Sequence, residues 1–160
     1  MDKILTIDQT SQLQKTLAES NKRIVLAGGC FDILHIGHLT FLGEAKKHGD
    51  VLVVLLESDE TITKAKGPKR PINIQQDRAQ LLGALSLVDF VILLTPQMDN
   101  QAYDNLVIAI KPAIIATTQG DTNRHHKERQ AALVDAEVID VTGFVTDKST
   151  SQIIKMLNEL

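Results

Sequence analysis

A chain of 160 residues with 43% hydrophobic and 23% charged side chains is the size of one domain and carries enough apolar material for a full core. Seventeen basic against twenty acidic residues leave a net charge of −3, which argues against a general nucleic-acid binder and allows only local basic pockets. The one cysteine, Cys30, excludes an internal disulfide and a cysteine zinc cluster; no stretch reads as a cleavable leader or a membrane span, so the cytoplasm is the expected location.

Residues 1–22 hold one helical pattern, Ile7 to Ser20, with Asp8, Thr10 and Ser11 as cap candidates and Leu13 and Leu17 one turn apart. This segment is expected to pack on the edge of a domain formed by 23–160. From Arg23 the chain alternates: strand 23–29, helix 37–48, strand 51–56, a basic connection, helix 74–86, strand 88–94, helix 99–109, strand 112–117, a polar loop, helix 125–134, strand 137–141 and helix 149–159. The alternation predicts an α/β, Rossmann-like domain with a five-stranded parallel sheet and helices on both faces. Continuous apolar runs such as Val51 to Leu56 and Phe90 to Leu94 are those of strands covered on both faces. Ligands of such sheets bind beyond the carboxyl ends of the strands, so each segment that follows a strand is a site candidate.

The first such segment runs from Gly28 to His38. Gly28 and Gly29 suit a sharp turn or a close approach to a ligand, and a helix starting near Gly37 turns unpaired N–H groups and a positive dipole toward the loop. His35 and His38 lie about one turn apart, so both imidazoles aim at one polyphosphate, with Gly37 leaving room between them. Imidazole donors meet the needs of a pentacoordinate phosphorus and a departing pyrophosphate, without a protein nucleophile. Either feature alone is common: glycine pairs end many strands, and most helical histidines are surface residues. Their order in one loop makes the stronger signal.

Other segments add weaker signals. Lys64 to Pro71 places four positive charges in seven residues of an acidic chain, fitting either a flap over phosphates or a solvated loop. Arg78 opens the next helix and fits a site-shaping or an ion-paired role. After the strand at 112–117, Gly120 permits an unusual backbone angle and Asp121 offers a carboxylate to a ribose or sugar hydroxyl, although Gly-Asp is also an ordinary turn. His125 and His126 read as exposed polar residues at a helix start. Around Ser149, Thr150 and Ser151 hydroxyls gather at the mouth of the last helix, where a plain N-cap and an anion site are compatible. Cys30 reads as inert packing and Asp32 as a turn-stabilising or loop-orienting residue.

The run Gly29-Cys30-Phe31-Asp32-Ile33-Leu34-His35-Ile36-Gly37-His38 resembles the H-x-G-H signature of the cytidylyltransferase-like nucleotidyltransferases. Lys66 to Asn73, Gln76-Asp77-Arg78 and Leu82 to Asp89 resemble the matching region of the heptose-1-phosphate adenylyltransferases, and Ser149-Thr150-Ser151-Gln152-Ile153 resembles the family's S-T-[ST]-x-I motif. The likeness spans Arg23 to Leu157.

The resemblance implies transfer of a nucleoside monophosphate from ATP or CTP to a phosphorylated small acceptor, with Mg²⁺ carried on the nucleotide, no nucleic acid and no membrane. It implies catalytic roles for His35, His38 and Lys64. Nucleotide contacts fall to Gly29, Cys30, Phe31, Gly37, Lys66, Gly120, Ser149, Thr150 and Ser151, and substrate contacts to Asp32, Arg78 and Asp121. A homodimer is left open, and no sugar-kinase domain is expected. Two departures bear on the acceptor and the branch. Heptose relatives carry a lysine, two glycines, an aspartate and an aromatic where this chain has Thr118 to Thr122. The arginine of the glycerol-phosphate and phosphocholine cytidylyltransferases is here Phe144. The leading expectation is an adenylyltransferase for a sugar 1-phosphate of the D-glycero-D-manno-heptose type. The alternatives are a cytidylyltransferase for a polyol or amino-alcohol phosphate such as glycerol 3-phosphate, an FAD-forming enzyme, and a non-catalytic nucleotide-binding protein.

Overall fold

Val51–Leu56 is buried at every position and forms the strand (β3) from which the sheet is most easily built. In the computed structural model, which describes residues 2–143 and 149–159, six parallel strands lie in the order β1-β4-β3-β2-β5-β6. Besides β3 they are β1 (Ile4–Thr6), β2 (Ile24–Gly29), β4 (Phe90–Leu93), β5 (Ile114–Thr118) and β6 (Glu137–Thr142). The helices are α1 (Thr10–Glu19), α2 (Ile36–Lys46), α3 (Asp59–Lys66), α4 (Gln75–Ala84), α5 (Asn100–Ile110), α6 (Arg124–Val134) and α7 (Thr150–Asn158). The expected α/β class, Rossmann-like arrangement and parallel sheet are present.

The sheet has one strand more than expected. Ile4–Thr6 pairs with β4 at the edge, in register Leu5 to Ile92. Three residues are too few to display a period of two, so only the helical spacing that follows them is readable along the chain. α3 is likewise absent from the sequence reading, because its eight residues lie in a stretch dominated by charge.

Alternation along each strand divides the core into two layers. Leu26, Val51, Val53 and Ile92 face one way, against Leu13 and Leu17 of α1 and Leu106, Val107 and Ile110 of α5. Val25, Leu52, Val54 and Val91 face the other way, against Leu42 and Ala45 of α2 and Ala79 and Leu82 of α4. Each buried Val, Leu or Ile among them contributes roughly 1.5–3 kcal/mol, so both layers are needed to hold the strands in register. Gly49 is required at the turn into β3: a Cβ there would lie 2.7 Å from the Arg23 carbonyl oxygen and from Val25 Cγ2.

The chain moves outward from β2 through β3 to β4, then returns to place β5 on the other side of β2. That reversal opens a crevice at the carboxyl ends of β2, β3 and β5, where an open parallel sheet binds its ligand.

Candidate active site

Beyond Gly29 the chain is held by a latch. Asp32 is almost fully buried, and its carboxylate accepts hydrogen bonds from the backbone N–H groups of Ile72 and Asn73, each at 2.9 Å, and from Arg70 Nε at 2.7 Å. The Asn73 side-chain amide donates back to the Asp32 carbonyl at 2.9 Å. Burial alone would raise the Asp32 pKa, but these donors overcome it and hold the carboxyl below its usual range. Arg78, with no exposed surface, donates to the carbonyls of Asn73, Cys30 and Glu57 and to the Asp59 carboxylate. Both residues therefore shape the loop from behind. Neither lines the cavity, so the substrate contacts expected of Asp32 and Arg78 are not where the structure puts their side chains.

The latch sets the two histidines. His35 is the N-cap of α2, and its Nδ1 accepts the Gly37 N–H at 3.2 Å. An accepting Nδ1 has its lone pair there, which leaves the ring's proton on Nε2. His38 stacks on His35 with ring centroids 3.8 Å apart and 29° between planes, and Phe31 lies tilted against it with centroids 5.1 Å apart. Phe31 adopts φ +46°, and Gly29 makes room for its ring, since a Cβ at position 29 would meet Phe31 Cε2 at 3.0 Å. The glycine accommodates a protein side chain here. Burial, then the neighbouring His35 and Lys66, push the His38 pKa down to about 4, and burial lowers that of His35. His38 Nδ1 is buried without a hydrogen-bond partner among the described residues.

A cavity of about 700 Å³ opens in front of the pair. Its walls include Gly29, Cys30, Phe31, His35, Gly37 and His38 from the loop, Lys66 from the end of α3, and Asp121 beyond β5. Ser149, Thr150 and Ser151 close it at the start of α7. Ser149 caps that helix through the Gln152 N–H at 3.3 Å, and Thr150 Oγ1 donates to the Ile33 carbonyl at 3.3 Å, tying α7 to the histidine loop across 117 positions. Thus residues from four distant parts of the chain share one mouth. Phe144 and the stretch Thr146 to Lys148 lie outside the described residues.

Lys64 does not join them. It is exposed on α3 and does not line the cavity, whereas Lys66 does. Residues two apart on a helix face away from each other, which a reading of this stretch as loop does not anticipate. Gly120 has φ +78°, the left-handed backbone expected of it, but stands behind the cavity lining. Asp121 lines the cavity with its carboxylate already engaged: it accepts from Lys127 at 2.6 Å, Thr117 at 2.7 Å and the Asn123 N–H at 2.9 Å. Burial raises its pKa, and these donors outweigh that and hold it low.

The titratable lining residues outside the predicted site set are Glu57, Tyr103, His126 and Lys127. Glu57 directly follows β3, so its position after a strand was the available signal; the others lie within helices and have none. The Tyr103 hydroxyl donates to both Glu57 oxygens at 2.9 and 3.0 Å. Burial raises the Glu57 pKa despite that hydrogen bond and the Arg78 charge, and burial followed by Glu57 raises that of Tyr103. Burial also keeps Cys30 a thiol, in line with a packing role. No three or more His, Cys, Asp or Glu side chains cluster as metal ligands among the described residues, and no described helix is long and apolar enough to cross a membrane.

A parallel sheet with a cavity at its switch point, lined by imidazole, ammonium and hydroxyl donors, defines a nucleotide-binding domain of the Rossmann-like class. The family model described as cytidylyltransferase-like matches residues 26–156, and the chain belongs to that family. Among curated relatives, the bifunctional protein HldE of Sulfurimonas denitrificans is 40% identical over 150 residues, covering 94% of this chain and 30% of the relative. The HldE of Campylobacter fetus is 38% identical over 159 residues, covering 97% and 31%. The chain thus spans about a third of the length of the curated relatives it matches. A solved lipopolysaccharide core biosynthesis protein from Thermoplasma volcanium is 30% identical with a TM-score of 0.62, covering 78% of this chain and 98% of that one. A pantoate-beta-alanine ligase from Francisella tularensis, at 14% identity and TM-score 0.62 over 98% of this chain and 76% of its own, shares the fold.

Proposed function

We propose that the protein is an adenylyltransferase that moves the AMP group of ATP onto a sugar 1-phosphate of the D-glycero-D-manno-heptose type and releases pyrophosphate. The observation that carries this reading is the stacked His35–His38 pair at the N-terminus of α2, facing one cavity with Lys66 and the start of α7. The resemblance of the H-x-G-H and Lys66 to Asn73 stretches to the heptose-1-phosphate adenylyltransferases supports it, as does the similarity to proteins named HldE and to a lipopolysaccharide core biosynthesis protein.

In the reaction an acceptor phosphate oxygen attacks the α-phosphorus in line. One P–O bond forms, the bond to the β-phosphate oxygen breaks, and the electron pair leaves with pyrophosphate. Positioning and charge neutralisation supply the rate. The His35 Nε2–H and the His38 imidazole donate to phosphate oxygens, Lys66 supplies fixed positive charge, and the N-terminus of α7 with Ser149, Thr150 and Ser151 holds the tail of the nucleotide. His38 is neutral before the nucleotide arrives; an incoming polyanion raises its pKa and recruits a proton to the departing pyrophosphate. Mg²⁺ would fit this site as an ion carried in on the triphosphate, where it would neutralise phosphate charge, since no three or more His, Cys, Asp or Glu side chains cluster as metal ligands among the described residues.

Pyrophosphate release, measured with ATP and CTP against a panel of phosphorylated sugars and polyols, tests the reading. ATP with a sugar 1-phosphate is expected to give the highest kcat/KM, with an ADP-sugar identified by mass spectrometry. A preference for CTP with glycerol 3-phosphate replaces the reading with the cytidylyltransferase one, and no release with any pair replaces it with a non-catalytic nucleotide binder.

A further inference from the structure

The cavity has two unlike lips on either side of the histidine pair. At the β5–β6 lip a register shift after Thr117 pairs Thr118 with Thr142, and the Gln119 N–H closes the rim on the Thr142 carbonyl at 2.9 Å. The opposite lip, at the end of β3, carries Glu57. Its main chain is pinned by its own N–H to the Gly29 carbonyl at 3.1 Å and by Arg78 at its carbonyl, so the carboxylate has a fixed origin.

Glu57 differs from the other cavity carboxylate. Asp121 is neutralised by Lys127, whereas Glu57 makes no ion pair among the described residues and receives only the Tyr103 hydroxyl. One shared proton leaves most of the carboxylate's acceptor sites to whatever enters the cavity. An unpaired carboxylate repels a triphosphate, so the nucleotide's tail belongs with Lys66 and α7, and the β3 lip belongs to the part of a ligand that brings neutral hydrogen-bond donors. A sugar's hydroxyl groups are such donors.

We infer that Glu57, oriented by Tyr103, is a specificity-determining residue for the acceptor: it accepts hydrogen bonds from the acceptor's hydroxyl groups and rejects acceptors that present a carboxylate at that end. This rests on the transferase reading above and adds to it a residue and a chemical preference.

The test compares the wild-type protein with Glu57→Gln and Tyr103→Phe, using ATP with a hexose 1-phosphate and with the matching uronic acid 1-phosphate. Glu57→Gln is expected to raise KM for the hexose phosphate roughly tenfold, leave KM for ATP nearly unchanged, and cut the preference over the uronic acid by about the same factor. Tyr103→Phe should shift the same quantities in the same direction by a smaller factor, and unchanged melting temperatures certify the folds. A rise in KM for ATP alone, or no change in either KM, overturns the assignment while leaving the transferase reading intact. Should the wild-type protein release no pyrophosphate at all, that reading falls by itself. Calorimetric titration of hexose 1-phosphate in the presence of a non-hydrolysable ATP analogue then decides the role of Glu57, with equal affinity for wild type and Glu57→Gln counting against it.

Discussion

The Nδ1 atom of His35 accepts the backbone N–H of Gly37, so one side chain both caps α2 and fixes Nε2 as the protonated nitrogen of its ring. Structure and chemistry are thereby joined in a single residue, and a substitution can separate them. Asparagine also caps helices well. His35→Asn is expected to melt close to wild type and to lose about 10²–10³ in kcat, because the Nε2–H donor is gone. His35→Ala should lose that activity and about 1 kcal/mol of stability besides. Steady-state pyrophosphate release and thermal melts check the pair; retained turnover in either variant contradicts the proposed chemistry.

His38 makes stability depend on pH. Its pKa in the folded chain is about 4, below the 6.5 of an unperturbed imidazole, because burial, His35 and Lys66 disfavour the cation. Between those values the unfolded chain binds a proton that the folded chain refuses, so stability is complete above pH 6.5 and falls as the pH drops toward 4. The loss reaches about 3 kcal/mol at most. Glu57, whose pKa is raised by burial, works in the opposite sense above pH 4.5. The difference between wild type and His38→Asn isolates the histidine: denaturant unfolding at several pH values should show the variant losing less stability between pH 6.5 and 4. Equal slopes exclude a neutral buried His38.

Lys64 and Lys66 sit two residues apart, yet only Lys66 reaches the cavity wall. Lys66→Ala is expected to reduce kcat/KM by roughly 10²-fold, and Lys64→Ala by less than about threefold. The same assay on both variants suffices, and the reverse order of effects would show that α3 rearranges when substrates bind.

Arg78 bridges three carbonyls and one carboxylate with no exposed surface. Arg78→Met leaves those carbonyls without their donor and should cost about 3–5 kcal/mol, a melting shift of roughly 10 °C. Lysine cannot span the four acceptors, so Arg78→Lys should rescue little. Differential scanning calorimetry measures both; a shift under about 2 °C for Arg78→Met would remove the latch from the account.

How much was legible in advance depends on the distance over which each signal travels. The alternation of strands and helices from Arg23 onward, the order of glycine pair, aromatic turn and two histidines, and the hydroxyl run at Ser149 are local patterns. Periods of 2 and 3.6 and the cap chemistry are written in neighbouring residues, so sequence by itself determined the α/β class, the loop at the end of β2 and the capping of α7. Only the tertiary structure decided the rest. β1 is too short to show a period, and Lys64 and Lys66 part company only once their stretch is a helix. Asp32 meets Ile72 and Asn73 across 40 and 41 positions, Arg78 meets Cys30 across 48, and Tyr103 meets Glu57 across 46. Contacts at such separations leave no imprint on adjacent residues, because the entropy of bringing the partners together is offset by the whole sheet and its two apolar layers.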